Sequence, residues 1–249
     1  MTAQLDGSTA LVTGGNSGIG RAIALDLAKH GAHVIVSGRD AARAEDVVAA
    51  IRENGGKADF VAANLTDEAS ARELARAAAE LGGGQVDILV NNAGIYPYGP
   101  TAETTQDVFE NVYDINVKAP YFLVAAVAPL MADRGKGAIV NIATMVAHYG
   151  DPGYALYGSS KAALLLLTKA WAAEYGPSGV RVNAVSPGPT RTEGTAAYGD
   201  ALDKLAATTP HGRPGLPEEI AAAVTFLVSD DAAYIHGAQL PVDGGRIAV

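Results

Sequence analysis

A glycine-rich turn between a predicted strand and a predicted helix constrains this fold more than any other stretch. Residues 9–12 are apolar and partly β-branched, and residues 21–28 carry apolar side chains at helical spacing. Such a turn directs free helix N–H groups and the positive end of the helix dipole at one place, where phosphate binds. Glycine lets the backbone approach the phosphate closely. A tight turn without a ligand is the alternative. We expect a dinucleotide to bind at Gly14, Asn16, Ser17, Gly18, Ile19 and Gly20.

Strands and helices alternate along the whole chain, which predicts an α/β fold. Strands are predicted at 9–12, 33–37, 57–63, 86–91, 138–144, 180–186 and 238–242. Further helices are predicted at about 41–53, 67–81, 105–131, 154–175 and 217–229, with Asp67 as an N-cap. Alternation of this kind favours a doubly wound parallel sheet of about seven strands with helices on both faces. No linker or repeat interrupts it, so residues 1–249 are predicted to form a single domain.

Composition excludes several classes of function. The chain has no cysteine, which excludes disulfides, thiolate catalysis and Cys-ligated metals, and we expect no metal site. Its formal charge of −9 argues against a nucleic-acid partner. The first residues lack the pattern of a signal peptide, and no apolar run was expected to approach the ~18 residues of a membrane span. These features predict a cytoplasmic protein with no membrane partner.

The end of the second strand bears on the choice of cofactor. A dinucleotide fold usually places an acid there to bind the adenosine ribose of NAD. Gly38 occupies that position and Arg39 follows, where a guanidinium can pair with the 2′-phosphate of NADP. Asp40 as the ribose acid is the competing interpretation, and Asp40 as a helix N-cap beside a solvated Arg39 is another. We favour NADP(H) over NAD(H).

Other strand ends carry small and amide residues. Asn91, Asn92, Ala93 and Gly94 close the fourth strand, at the edge where open α/β sheets bind ligands. Bracing of the sheet by Asn91 and Asn92 is as plausible as contact with a cofactor. Asn64 and Leu65 follow the third strand, where a plain turn is the alternative.

Tyr157 and Lys161 form the strongest candidate catalytic pair. Positions i and i+4 share one face of a helix, which brings a phenol beside an ammonium. The positive charge is expected to favour the phenolate and to lower the tyrosine pKa from about 10. In the long predicted helix, Pro120 cannot bond to the carbonyl of Asn116, so a kink and a free carbonyl able to hold a water are expected there. A helix defect filled by packing is the alternative.

These motifs together resemble the short-chain dehydrogenase/reductase family. The resemblance covers about residues 5–245 and includes Thr-Gly-x-x-x-Gly-x-Gly, Asn-Asn-Ala-Gly and Tyr-x-x-x-Lys. It implies a Rossmann-type fold, NAD(P)(H), exchange between a ketone and a secondary alcohol, and a homotetramer. The family's catalytic serine falls on Thr144, which keeps the hydroxyl but adds a methyl group.

The resemblance also implies roles for individual residues. Asn116, Thr144, Tyr157 and Lys161 are the expected catalytic residues, with Tyr157 as acid–base and Lys161 on the nicotinamide ribose. Asn64 and Leu65 would flank the adenine, where the family usually has Asp. The remaining expected cofactor residues are Asn91, Ala93, Gly94, Pro187, Gly188, Thr190 and Thr192.

The sequence leaves the substrate open. Residues at about 190–215 are predicted to form a substrate lid. Tyr96, Tyr98, His148, Tyr149 and Tyr154 are each interpreted as packing or surface residues. A 3-oxoacyl-carrier-protein reductase is one alternative, for which Arg134 and Lys136 are the only hint of a basic docking patch. A non-catalytic dinucleotide sensor is another.

One further expectation concerns assembly. The helix that contains residues 162–167 and Trp171 is apolar almost all round. A helix of this kind is buried on more than one side, which predicts contact with a second subunit.

Overall fold

Seven parallel strands form one sheet in the order β3-β2-β1-β4-β5-β6-β7. The computed structural model describes residues 4–249. The strands are β1 Thr9–Thr13, β2 His33–Gly38, β3 Lys57–Ala62, β4 Ile88–Asn91, β5 Gly137–Ile142, β6 Val180–Pro187 and β7 Gln239–Val242. The order reverses between β1 and β4, which opens a crevice at the carboxyl ends of the strands. The predicted doubly wound α/β fold is confirmed.

Helices cover both faces of this sheet. They are α1 Gly18–Lys29, α2 Ala41–Glu53, α3 Glu68–Leu81, α4 Gln106–Tyr113, α5 Ala119–Asp133, α6 Ala155–Tyr175, α7 Asp200–Ala206 and α8 Pro217–Val228. Residues of α1, α2 and α8 pack on one face, and residues of α3, α5 and α6 pack on the other. Strand β1 contributes to both cores, since Ala10 and Val12 point to one and Leu11 to the other. Burial on both faces explains why the central strands read as continuous apolar runs.

Helix α3 begins where the sequence predicts. Asp67 accepts a hydrogen bond from the Ser70 N–H at 2.8 Å, and the Ser70 hydroxyl accepts one from the Asp67 N–H, so the two residues form a reciprocal cap. This cap satisfies free N–H groups of the first turn and fixes the helix start.

The single helix predicted at 105–131 is in fact two helices. A π-helical turn at Asp114–Lys118 separates α4 from α5. Pro120 stands in the first turn of α5, where its missing N–H is tolerated. The predicted irregularity near Asn116 is therefore present, but as an inserted π turn within a helical path.

The same region corrects an expectation about apolar runs. Among the described residues, 106–133 form one helical stretch long and apolar enough to cross a membrane by length and composition. Its Val112, Leu123, Val127 and Met131 are buried in the fold. The core helix of a globular domain has these same properties, so length and composition alone do not assign it to a membrane.

Candidate active site

One cavity of about 480 Å³ lies at the carboxyl ends of the strands. Most of the predicted site residues line it, although they come from seven separate segments of the chain. They are Gly14, Asn16, Ser17, Gly18, Ile19, Gly20, Arg39, Asn64, Leu65, Ala93, Gly94, Thr144, Tyr157, Lys161, Pro187, Gly188, Thr190 and Thr192. We call the end formed by residues 14–20, 39 and 64 the glycine half, and the end around Tyr157 the tyrosine half.

The glycine half depends on close backbone contacts. Gly14 has φ +62°, a conformation that side-chain-bearing residues rarely adopt. A Cβ on Gly20 would lie 2.1 Å from the Gly14 carbonyl oxygen and 2.4 Å from Asn92 Nδ2. Asn92 Nδ2 donates to the carbonyls of Thr13 at 2.9 Å and Gly14 at 3.1 Å, which holds the turn.

The start of α1 offers donors to an anion. Ser17 is the N-cap, but its side chain makes no capping hydrogen bond. The Gly18 N–H donates to the carboxylate of Glu193 at 3.1 Å, so an anionic group already occupies this end of the helix. Free donors, the helix dipole and a Cβ-free backbone together fit a pyrophosphate.

The second strand end favours Arg39 over Asp40 as a cofactor contact. Asp40 accepts a hydrogen bond from the Arg43 N–H at 3.1 Å and pairs with the Arg43 side chain at 3.3 Å. It therefore caps α2, in agreement with the N-cap interpretation of this residue. Arg39 is exposed and lines the cavity, and within residues 4–249 it has no carboxylate partner. A Cβ on Gly38 would lie 2.6 Å from the Asn16 side chain, whose Nδ2 donates to the Asp40 carbonyl at 3.1 Å. A side chain at position 38 would require the Asn16 side chain to move.

Asn91 does not reach the cavity. Its side chain is 1% exposed, and its Nδ2 donates to Asn141 Oδ1 at 2.8 Å. Asn141 in turn donates to the Thr168 hydroxyl at 2.8 Å, which ties β4 and β5 to α6. Asn92, one position along, lines the cavity instead. Of the two roles considered for Asn91, the structure shows the bracing one.

Asn116 also lies behind the cavity wall, fully buried. Its Oδ1 accepts from the Ile95 N–H, and its Nδ2 donates to the Ile95 carbonyl, both at 2.9 Å. Nδ2 is also 3.0 Å from the Ser160 hydroxyl on α6. The side chain therefore fixes the loop after β4 against the helix that carries Tyr157 and Lys161.

Lys161 projects from α6 to the floor of the cavity and is 3% exposed. Its Nζ donates to the Ile142 carbonyl at 2.8 Å. Burial lowers the pKa of this ammonium to about 8, because desolvation disfavours the charged form. The group remains predominantly charged at neutral pH.

The pKa of Tyr157 differs from the value expected from the sequence. Burial raises the pKa of Tyr157 to about 12, and hydrogen bonding with Thr144 opposes that rise. Lys161 is not among the largest contributors and the net shift is upward, so the predicted net lowering of the phenol pKa is not observed. Desolvation outweighs the helical i, i+4 proximity here. Thr144 itself is 8% exposed and lines the cavity beside Tyr157.

The loop after β6 supplies the opposite wall. A Cβ on Gly188 would lie 2.6 Å from Asp243 Cα, so this backbone packs closely against the segment after β7. The Thr190 hydroxyl donates to the Gly188 carbonyl at 2.9 Å, and Thr192 caps the following turn through Thr195. Both hydroxyls already form hydrogen bonds within the loop. The backbone groups of the loop are therefore more available to a ligand.

Sequence analysis missed a cluster of aromatic residues around Tyr157. Ring centroids of Tyr96 and Tyr154 each lie 6.2 Å from that of Tyr157. Tyr198, which the sequence did not single out, also lines the cavity. A signal existed, since the loops after β4, β5 and β6 each contain tyrosine. His148, Tyr149 and Tyr98 do not line the cavity, and His148 Nε2 instead lies 3.0 Å from the Ser186 hydroxyl.

No cluster of three or more His, Asp or Glu side chains suited to a metal ion occurs among residues 4–249. The expectation of a site without metal therefore stays a prediction from composition.

Comparison with known proteins identifies the family. Residues 14–246 match the family model described as enoyl-(acyl carrier protein) reductase. A cyclopentanol dehydrogenase from Comamonas sp. is 38% identical, with 96% of each chain covered. A solved short-chain dehydrogenase/reductase family protein is 51% identical, with 99% and 100% coverage and a TM-score of 0.91. A blue fluorescent protein from a metagenomic library, solved in complex with NADPH, is 38% identical, with 98% and 99% coverage and a TM-score of 0.92.

The chain belongs to the short-chain dehydrogenase/reductase family. It is an NAD(P)-dependent oxidoreductase that binds a nicotinamide dinucleotide. This placement favours catalysis over the non-catalytic sensor considered from the sequence.

Proposed function

We propose that this enzyme interconverts a ketone and a secondary alcohol with NADP(H), using Tyr157 as the acid–base. The carrying observation is that Tyr157, Thr144 and Lys161, from the loop after β5 and from α6, line the same cavity. The bound nicotinamide supplies or accepts the hydride.

In the reductive direction Tyr157 donates a proton to the carbonyl oxygen. Its raised pKa keeps the phenol protonated at neutral pH, which suits a donor. Thr144 offers a second hydroxyl to the same oxygen, in the position of the family's serine. In the oxidative direction Tyr157 must act as base, and the buried Lys161 ammonium supplies the positive charge that stabilises its ionised form.

Asn116 acts as a positioning residue in this scheme. Its side chain joins the Ile95 backbone to Ser160, three residues after Tyr157 on α6. The predicted relay water at its carbonyl remains part of the proposal. Lys161 is proposed to bind the nicotinamide ribose, and Asn64 and Leu65 to flank the adenine.

NADP(H) is proposed over NAD(H). The support is local: Arg39 lines the cavity, and position 38 is a glycine, which supplies no acid to a ribose. A guanidinium pairs well with a phosphate, and no competing carboxylate holds Arg39 among the described residues. The cofactor of the NADPH-bound relative agrees with this preference.

The segment at about 190–215 is proposed to be the substrate lid. It contains a short helical turn at Glu193–Tyr198 and helix α7, and its Gly194, Tyr198 and Leu202 line the cavity. A Cβ on Gly194 would lie 2.4 Å from the Tyr96 hydroxyl, so the lid rests directly on the tyrosine half.

A homotetramer in the cytoplasm, without nucleic-acid or membrane partners, completes the proposal. Leu164 and Leu165 of α6 are buried within the subunit, whereas Leu166 is 69% exposed. Tyr121 and Leu130 on α5 are also exposed. These apolar side chains on neighbouring helices suit contact with further subunits.

Arg134 and Lys136 do not support the alternative of a carrier-protein substrate. Arg134 and Lys136 precede β5, at the edge of the sheet opposite the cavity. Arg134 is held by the Val86 carbonyl at 2.8 Å and by Asp87, and Lys136 lies 4.0 Å from Asp230. A carrier docked on these two residues would not present its acyl group to Tyr157.

Tyr157→Phe tests the proposal. Only the hydroxyl is removed, so turnover of ketones should fall by roughly 10²–10⁴-fold while NADPH still binds with unchanged affinity. Ketone reduction is followed by NADPH absorbance, and NADPH binding by fluorescence titration. Wild-type rates in this variant would refute the mechanism.

A further inference from the structure

The lining of the tyrosine half is largely apolar. Beyond the three tyrosines that surround Tyr157, the walls are formed by Met145, Val146, Ala201, Leu202 and Leu205. Leu202 is 6% exposed and Met145 is likewise 6% exposed, so these are packed walls facing the cavity. A substrate gains free energy here by burying apolar surface.

The tyrosines add hydrogen-bonding groups without adding charge. Burial raises the pKa of Tyr96, and burial together with nearby Tyr198 raises that of Tyr154 to about 12. Both rings are therefore neutral near pH 7. Their hydroxyls can satisfy an ester, ether or alcohol oxygen on a substrate.

All but one of the charged residues that line the cavity lie in the glycine half or at the cavity floor. Of the charged residues that line it, Arg39 belongs to the glycine half and Lys161 donates to the Ile142 carbonyl at the floor. Asp151, in the loop after β5, is the remaining one. Its carboxylate accepts no hydrogen bond from residues 4–249, so its negative charge is available to the tyrosine half.

The arginine at the start of the lid segment is already paired. Arg191, at the start of the lid segment, donates to Asp203 at 2.6 Å and does not line the cavity. With Lys161 proposed to bind the nicotinamide ribose, a carboxylate substrate in the tyrosine half would find no further cationic partner among the lining residues and would face Asp151.

We propose that the substrate is an uncharged, largely apolar ketone or secondary alcohol, and that Asp151 selects against carboxylate substrates. This inference rests on the proposed carbonyl chemistry. It excludes sugar acids and free oxo acids as preferred substrates, and it makes Asp151 a specificity residue outside the catalytic group.

A matched pair of ketones tests the inference. Methyl 4-oxocyclohexanecarboxylate and the free 4-oxocyclohexanecarboxylate differ in charge with little change in shape. With NADPH, the neutral ester should have a kcat/KM more than about 30-fold higher, because the carboxylate loses its hydration without gaining a partner.

Asp151→Asn removes the charge and keeps the side-chain shape. It should raise kcat/KM for the carboxylate about fivefold and leave the ester unchanged, because only the charge repulsion is removed. Asp46→Asn makes the same charge change on the exposed surface of α2 and should alter neither value.

Binding to the Tyr157→Phe·NADPH complex separates the inference from the proposed function. If calorimetry shows the ester binding more tightly while wild type reduces neither ketone, the proposed chemistry is wrong but the substrate class stands. Equal or tighter binding of the carboxylate would overturn the inference. If Asp151→Asn leaves the ratio of kcat/KM for ester and carboxylate unchanged, Asp151 does not select against carboxylates.

Discussion

The two halves of the cavity are built from different parts of the chain. In the glycine half the contacts are main-chain ones: Gly14, Gly18 and Gly20 let the backbone close in, and N–H groups face the cavity. In the tyrosine half, side chains from distant loops form the walls around Tyr157. The first half therefore tolerates almost no added atom, while the second can change its shape by exchanging side chains.

This difference suits a family that keeps one cofactor and varies its substrate. A backbone cradle recognises pyrophosphate, which is the same in every dinucleotide. Aromatic and aliphatic side chains on loops recognise the substrate, and fold alone does not specify them. The Glu193 bond to the Gly18 N–H is a direct contact between the lid segment and the glycine half.

Adding one methyl group to the glycine half should have the largest effect. In Gly20→Ala the new Cβ would lie 2.1 Å from the Gly14 carbonyl oxygen, so the turn must shift. NADPH affinity should fall more than about 100-fold, since the N–H groups move away from the phosphate. The measurement is NADPH titration, with circular dichroism to confirm the fold.

Gly99→Ala is the matched control in the loop after β4. An added Cβ there has no neighbour within 4 Å, and NADPH affinity and ketone turnover should both be retained. An equal loss of NADPH affinity in Gly20→Ala and Gly99→Ala would contradict the contrast between the two halves.

The next largest effect is expected on ketone reduction, from changes at Thr144 in the tyrosine half. Thr144→Val keeps the branching but removes the hydroxyl, and ketone reduction should fall about 100-fold, as for loss of a donor to a developing oxyanion. Thr144→Ser should keep activity. Interaction with the Thr144 hydroxyl lowers the pKa of Tyr157, so its loss should move the rising limb of the pH profile for alcohol oxidation, where Tyr157 becomes a base, to higher pH.

That pH shift separates an effect on Tyr157 from an effect on the substrate oxygen. A Val variant with a lower rate but an unshifted profile would show that the hydroxyl acts on the substrate oxygen and not through the pKa of Tyr157. A wild-type rate would show that Thr144 is structural and that another group holds the substrate oxygen.

What the sequence predicted correctly is mostly local. The glycine turn, the Asp67 cap and the strand ends follow from φ preferences and short-range hydrogen bonds, so their residues could be identified in advance. Local rules also predicted a disturbance near Pro120, but not the π turn that absorbs it, because the tertiary bonds of Asn116 help fix its geometry.

The sequence did not reveal side-chain roles that depend on contacts between distant parts of the chain. Asn91 and Asn92 are neighbours in sequence, yet one side chain braces the sheet and the other lines the cavity, since Asn91 ends β4 and Asn92 lies in the loop after it. The partnership of Tyr96, Tyr154 and Tyr198 joins three distant loops. The raised pKa of Tyr157 likewise depends on burial, which a helical spacing does not reveal.

Arg39 gives an intermediate effect, confined to the glycine half. Arg39→Ala should lower kcat/KM with NADPH about 10- to 100-fold and leave the value with NADH nearly unchanged, because a charge-assisted bond to the 2′-phosphate is lost. Arg39→Asp should reverse the preference. Arg43→Ala, which removes a nearby guanidinium outside the cavity lining, serves as the control. A wild-type preference for NADH would contradict the argument.

The smallest expected effect tests the contact between the halves. Glu193 places a carboxylate on the Gly18 N–H, where the pyrophosphate is proposed to bind, so the two anions compete for one donor. Glu193→Gln keeps the side-chain shape but removes the charge, and the Kd for NADPH should fall about threefold at low ionic strength. Added salt should reduce the difference, and Glu45→Gln on the exposed face of α2 should not reproduce it. A weaker affinity in Glu193→Gln would mean that the carboxylate assists cofactor binding by holding the lid segment, so that the two halves cooperate at this contact instead of competing.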